Sequence, residues 1–246
     1  MTAVAAAHSS PALSRLHALA SISGEEAIAL ERAMKETRRI SARREMLVEG
    51  KPVTGASILL SGWAGRVHQL SDGRRQILGL LLPGDLIGAC RQSEPLASST
   101  VMALTDVTLC TAPKPTADVP GAGLGEAYAM SAALDEANLL RHITRLGRLS
   151  AHERIADWLL ELRERLTLCG LATNSFAMPL TQETLADTLG LTSVHVNRTL
   201  QTMRKSGALV LSSGRVEITD PQQLAVLADH RSPEVSEAKR HCIAGS

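Results

Sequence analysis

Residues 180–207 read LTQETLADTLGLTSVHVNRTLQTMRKSG, a stretch compatible with few local folds. Thr181 is a good helix N-cap, and Gln182 and Glu183 follow in the first turn, where an acid suits the helix dipole. Leu185, Ala186 and Leu189 recur at helical spacing, and Gly190 takes positive φ readily at a helix end. Thr192 opens a second helix in which Val196, Leu200 and Met203 make one apolar stripe, and Gly207 stops it. The stretch is therefore two short helices joined by a tight turn.

The polar face of the second helix carries Ser193, His195, Asn197, Arg198, Gln201, Arg204 and Lys205. Short polar side chains near a helix N-terminus reach base edges in a major groove, an Arg takes guanine bidentately, and amides or hydroxyls bond bases or phosphates. With Thr181, Gln182 and Thr192 at the helix starts, these residues form a candidate surface for double-stranded DNA. Charge points the same way. No Asp or Glu occurs from 188 to 216, an interval holding Arg198, Arg204, Lys205 and Arg215, although the whole chain carries only +1. A plain solvated helical hairpin is the competing reading; turn chemistry, spacing and local charge together favour DNA.

This segment, followed by ALVLSSGRVEI, resembles the winged helix-turn-helix of Crp/Fnr-type bacterial transcription regulators. Upstream, SGWAGRVHQLSDGRRQILGLLLPGDLIG resembles the β-roll sensor domain of the same family. The likeness spans roughly residues 20–230. It implies an α+β chain: an N-terminal β-roll of the cyclic-nucleotide-binding jelly-roll kind over 14–122, a dimerisation helix over 123–149, and a winged helix-turn-helix over 150–230. It also implies a homodimer on double-stranded DNA, RNA polymerase as a partner, and a possible small-molecule effector.

The residues themselves carry much of this order. Residues 1–12 read as a disordered tail, and 14–22 and 24–37 as helices. Arg38, Arg39, Arg43 and Arg44 surround Ile40 as a solvated strand edge. From 46 to 110, short β-rich runs alternate with turns such as Ser71-Asp72-Gly73-Arg74 and Pro83-Gly84-Asp85, the pattern of an all-β roll, with a last strand over 101–110. Ser150 and Glu153 make a capping box for a helix with Ile155, Leu159, Leu162 and Leu166 inside and an exposed Glu161–Arg165 pair. Ser212-Ser213-Gly214 is a hairpin turn placed as a wing, Asp220-Pro221 starts a last helix, and the tail from Ser232 is polar.

Residues 124–149 read as one long helix with two apolar stripes. Ala127, Met130, Leu134, Ala137 and Leu140 form the first, and Leu139, Ile143 and Leu146 the second. Two stripes imply two partners: the first is assigned to the same helix of a second subunit, the second to the chain's own domains. A plain core helix explains the pattern equally well on the residues alone. The resemblance implies a parallel dimer here, with Ala127, Met130, Leu134 and Ala137 as its interface.

Several functions are disfavoured. Only 2% of residues are aromatic, which argues against base-stacking readers of single strands. Cys90, Cys110, Cys169 and Cys242 are scattered with no CxxC, so neither metal nor dithiol chemistry is indicated. No signal peptide or membrane-length apolar run is present, which places the chain in the cytoplasm. No catalytic constellation is readable, so an enzyme is not expected, nor a cofactor. A winged helix that binds protein, with a vestigial sensor, is the alternative function; acids on the second helix would mark it, and there are none.

In cyclic-nucleotide members of the family, a Gly-Glu-Leu after the Pro-Gly-Asp turn takes the ribose 2′-OH and a later Arg-Ser/Thr takes the cyclic phosphate. Here those places hold Gly88-Ala89-Cys90 and Ala97-Ser98-Ser99-Thr100, so both charged groups are missing. Gly88, Cys90, Arg91, Ser98, Ser99 and Thr100 outline any effector pocket, with Arg91 and Glu94 out of register as loop surface. No cysteine precedes Cys90, which argues against the family's N-terminal iron–sulfur cluster. Cys90 itself reads as buried and inert, and haem through His68 has no support in spacing.

Overall fold

The computed structural model describes residues 10–90, 93–115 and 123–235. Two helices, α1 (Pro11–Leu19) and α2 (Gly24–Ala33), lead into eight strands: β1 (Thr37–Ile40), β2 (Glu45–Leu47), β3 (Ser57–Ser61), β4 (Ala64–Gln69), β5 (Arg75–Leu81), β6 (Leu86–Ile87), β7 (Thr100–Ala103) and β8 (Val107–Thr111). They form two antiparallel four-stranded sheets, ordered β1-β8-β3-β6 and β2-β7-β4-β5. Side-chain alternation sorts the residues among three layers. Leu59, Ala64, Leu81, Ile87, Val101, Ala103, Val107 and Leu109 fill the space between the sheets. Ile58, one residue from Leu59, turns outward with Leu86 and Cys110 to meet Leu16 of α1.

The long helix α3 (Gly123–Arg148) and α4 (Ala151–Leu168) follow, then β9 (Ser175–Ala177), α5 (Gln182–Leu189), α6 (Ser193–Lys205), β10 (Leu209–Ser212), β11 (Arg215–Ile218) and α7 (Pro221–Ala228). Ser150 starts α4 as expected, its hydroxyl accepting from Glu153 N while the Glu153 carboxylate accepts from Ser150 N at 2.7 Å. From Ile155 to Leu162 every residue of α4 is buried, so this helix is surrounded on all sides. Its neighbours are Trp63, Val67, Ile77 and Leu80 from the outer face of the β4–β5 sheet, and Leu185, Leu200, Val216 and Ile218 from the winged helix. Sensor sheet and winged helix thus share one core.

Buried charges run through the same junction. Arg15 of α1 lies 2.8 Å from Asp85, and Arg165 lies 2.7 Å from the other oxygen of that carboxylate. Arg165 also meets Glu161, which meets Arg145 of α3 at 2.6 Å; Arg145 meets Asp157 at 2.6 Å. Burial would raise the carboxyl pKa values of Asp85, Asp157 and Glu161, but the guanidinium groups and hydrogen bonds outweigh it and hold all three below the usual carboxylate range. Gly84 makes the first contact possible. It sits at φ +90°, a Cβ there would stand 2.7 Å from Arg15 Cδ, and its carbonyl accepts from Arg15 Nη1 at 3.0 Å.

Several sequence expectations need correction. Helix α1 begins at Pro11, with Ala12 fully buried, so residues 11 and 12 are not tail; Pro suits a first helical turn. Helix α2 ends at Ala33, because residues 37–40 pair with β8 instead. The single strand over 101–110 is two, separated by a turn in which Asp106 Oδ1 accepts from Ala42 N. The Glu161–Arg165 pair forms but is buried, not exposed. Val235 packs on the α1–α3 cluster, and Cys242 lies outside the described residues.

The largest correction concerns the first stripe of α3, whose start is buried within the chain, while Leu139 and Leu146 of the second stripe lie beside Gly79 and Gly190 of the chain's own domains. Ala127 and Met130, assigned to a dimer seam, are 0% and 7% exposed and pack on α1 of the same chain, with Leu134 against them. Leu140 and Ile143 are 60% and 67% exposed instead. Small Ala127 lies in that cluster with Met130, and Leu140 and Ile143 are left on the outer face.

His230, just beyond α7, ties this end of the chain to α4. Its Nδ1 lies 2.7 Å from Asp157 Oδ1 and its Nε2 lies 3.0 Å from Glu164 Oε1. Burial and the nearby Arg141 guanidinium push its pKa down; the hydrogen bonds to Asp157 and Glu164 outweigh both and raise it above the ordinary 6.5. A group with a raised folded pKa contributes its full stabilisation below its unfolded pKa and loses it as pH climbs through the folded value. His230→Ala should therefore lower the melting temperature most near pH ~6, with the gap to wild type closing toward pH ~9. A gap that stays constant over that range would mean that His230 acts through packing alone.

Candidate nucleic-acid interface

The helix-turn-helix is built by local hydrogen bonds that its sequence specifies. Thr181 Oγ1 accepts from Thr184 N at 3.1 Å and caps α5. Gly190 closes α5 at φ 61°, a left-handed conformation open to glycine. Thr192 Oγ1 accepts from His195 N at 3.2 Å and caps α6. Val196, Leu200 and Met203 are all buried against α5 and the wing strands, which fixes the roll of α6 about its axis.

That roll turns Ser193, Val194, Arg198, Gln201, Arg204 and Lys205 to solvent, with His195 and Asn197 half-buried. Val194 is 79% exposed, an unusual position for a branched apolar residue on a helix. Gln182, at the start of α5, lines an open groove of about 380 Å³ with Ser193, Val194, Asn197 and Arg198. The Asn197 Nδ2 group donates to Gln182 Oε1 at 3.0 Å across that groove. Nearby, Asp187 is occupied by Arg75 of the sensor sheet at 2.5 Å. Among the described residues no ion pair joins Arg198, Arg204 or Lys205 to a carboxylate. The face is cationic and uncompensated. Beside it, β10 and β11 pair around Ser213 (φ 49°) and Gly214 (φ 73°), the two positive-φ residues of a tight hairpin, with β9 as third strand.

The residues proposed for an effector pocket gather less clearly. Gly88 is wedged: a Cβ there would stand 2.8 Å from Val53 Cγ1 and 3.2 Å from Gly55 O. Ser99 is buried, Ser98 is exposed, and Thr100 Oγ1 accepts from Glu49 N at 3.2 Å. Residues 97 and 50–51 are zipped together by Gly50 N to Ala97 O and Ala97 N to Lys51 O. Arg91 lies outside the described residues. Cys90 is exposed, which corrects the expectation of a buried thiol. The inert buried thiols are elsewhere: Cys169, pushed up to about 12 by burial and by Asp85, donates to Pro83 O.

Sequence reading missed the contacts that join this unit to the sensor: Arg75 with Asp187, the Gln76 side chain donating to Thr188 O, and the Arg145 cluster. One signal was available. Asp157, Glu161 and Arg165 recur every four residues between leucines, a charged stripe on the buried stretch of the helix.

Comparison with known proteins agrees with this architecture. The family model for the cyclic nucleotide-binding domain matches residues 37–117, and that for the Crp-like helix-turn-helix domain matches residues 153–227. The nitrogen fixation regulation protein FixK of Bradyrhizobium diazoefficiens is 33% identical over 166 residues, covering 65% of this chain and 68% of that protein. The transcriptional activator protein FnrL of Cereibacter sphaeroides is 31% identical over 207 residues, covering 80% and 81%. The solved structure of FixK2 from Bradyrhizobium japonicum superposes with a TM-score of 0.66 at 27% identity, covering 81% of this chain and 98% of that one. A CRP/FNR-family transcriptional regulator of Thermus thermophilus, TTHA1359, shares the fold, at TM-score 0.59 and 24% identity, covering 80% and 100%. The chain belongs to the Crp/Fnr family of transcription regulators: a cyclic-nucleotide-binding-like β-roll followed by helices and a DNA-binding helix-turn-helix. Its relatives are regulators, not enzymes, and among the described residues no helix is long and apolar enough to cross a membrane.

Proposed function

We infer that this chain binds double-stranded DNA sequence-specifically as a homodimer and regulates transcription through RNA polymerase. The observation that carries the reading is the solvent face of α6. It presents Ser193, Val194, Asn197 and Arg198 at its N-terminal end and Arg204 and Lys205 at its C-terminal end, with no ion-paired carboxylate against these cations among the described residues. Residues early in such a helix meet base edges, and late cations meet phosphates. Val194 supports a preference for a thymine methyl over a cytosine amino group at its position.

This division predicts two kinds of mutant. Arg198→Ala should cost about 1–3 kcal/mol on the preferred site and relax base choice at one position. Lys205→Ala should weaken binding to all sequences alike and lower the salt slope by about one. A competition selection on randomised duplexes at two salt concentrations separates them. If Arg198→Ala weakens every sequence equally, Arg198 is a phosphate clamp; if neither variant alters DNA binding, the interface is not here.

The second subunit is best accommodated on the outer face of α3. Ala129, Ala132, Glu136, Leu139 and Ile143 alternate at three and four residues, with Leu140 beside them, and all six are exposed. This is the spacing of a two-helix seam, interrupted at its middle by Glu136. Replacing Leu140 and Ile143 together with Glu should give a folded monomer with weakened DNA binding. Sedimentation that still reports a dimer would place the interface on another surface.

The sensor site supports an effector other than cyclic AMP. Ala89 and Ala97 stand where the family's cyclic-nucleotide members have an acid and a guanidinium, and each lost charge-assisted bond is worth about 1.5–3 kcal/mol. Calorimetry should detect no binding of cyclic AMP at micromolar concentrations, since losing both bonds removes most of a micromolar affinity. Low-micromolar binding would contradict this reading of the pocket.

A further inference from the structure

Asn197 and Gln182 come from different helices, fifteen positions apart, yet their amides are joined: Asn197 Nδ2 donates to Gln182 Oε1 at 3.0 Å. Both line the same open groove with Ser193, Val194 and Arg198. A free Asn amide on a helix surface can flip, exchanging its oxygen and nitrogen, and then reads no base consistently. Here a flip of Asn197 alone is opposed, because it would set Asn197 Oδ1 against Gln182 Oε1, two acceptors without a proton between them; only a concerted flip of both amides restores the bond. One Asn197 N–H is committed to Gln182. Its remaining N–H and its Oδ1 form a donor beside an acceptor, the complement of the N7 acceptor and N6 amino donor of adenine in the major groove.

We propose that Gln182 is a positioning residue for base readout, holding the Asn197 amide in the orientation that selects adenine at one position of each half-site. This deepens the reading of α6 as the base-reading helix and rests on it. Gln182 itself touches no base in this account. It sits, exposed, at the first turn of α5, and the first helix of such a motif crosses the DNA backbone.

The test is a selection on randomised duplexes with the full-length chain and three variants. Wild type should prefer adenine at one half-site position by about tenfold over the other bases, and Asn197→Ala should abolish that preference and no other. Gln182→Ala should cut the same preference several-fold while leaving the other positions intact, since Asn197 is present but no longer oriented. Gln182→Glu keeps an acceptor for the Asn197 N–H, so it should restore the adenine preference even as its charge lowers affinity for every sequence. Circular dichroism confirms that each variant is folded; both side chains lie at the surface of the groove.

Three outcomes overturn the proposal. Asn197→Ala could leave base preference unchanged at every position. Gln182→Ala could weaken all sequences equally, making Gln182 a phosphate contact. Gln182→Glu could lose the adenine preference as fully as Gln182→Ala. Each of these leaves the DNA-binding reading standing, whereas a wild-type chain that enriches no sequence would take that reading down with the proposal.

Discussion

Arg145 is 1% exposed, and its guanidinium is shared between Asp157 and Glu161 on the facing helix. A buried charge of this kind is weak evidence for added stability, because desolvation offsets much of the Coulomb gain. Its effect is on geometry. Parting buried charges that have no other partner is costly, about 3–5 kcal/mol when one member of a pair is removed, so a state in which α3 slides past α4 and separates them is disfavoured. The same carboxylates extend the constraint in both directions, through Arg165 and Asp85 to Arg15 and through Asp157 to His230. The N-terminal helix, the sensor sheet, the long helix and the end of the DNA-binding unit are consequently registered to a single helix, α4.

Apolar packing reinforces this arrangement. Trp158 and Leu162 of α4 belong to a cluster that includes Val67 and Ile77 of the sensor sheet and Leu185 and Val216 of the winged helix. Arg75 and Gln76 then pin the end of α5 to β5 directly. The recognition helix therefore inherits its orientation from the sensor through contacts within one chain. An effector acts on such a molecule by favouring a different packing of α4.

What could be read in the sequence was whatever local chemistry determines. The caps at Thr181 and Thr192, the glycine at 190, the capping box at Ser150 and the hairpin at residues 213–214 each depend on a few neighbouring residues, and all formed. The β-roll and helix-turn-helix were legible for the same reason, with the family resemblance supplying their order. The faces of α3 were not legible. A helix with two apolar stripes has partners that its own residues do not name: α1 takes the start of the first stripe, with Leu16, Ala127 and Met130 in one cluster, and Gly190 meets Leu146 of the second. The buried ion cluster joins residues up to 80 positions apart, such as Asp85 and Arg165, which no window along the chain brings together. Asn197 was identified as a reading residue, but its contact with Gln182 depends on the angle between two helices and had no sequence signature.

The central claim is that the outer face of α6 reads specific duplex DNA in a two-fold symmetric assembly. The most direct measurement is crosslinking of the chain to DNA in the cell and sequencing of the fragments recovered with it. The account predicts fragments that share two inverted half-sites about one helical turn, ~34 Å, apart. Recovered DNA with no shared sequence, indistinguishable from the genome at large, would contradict it.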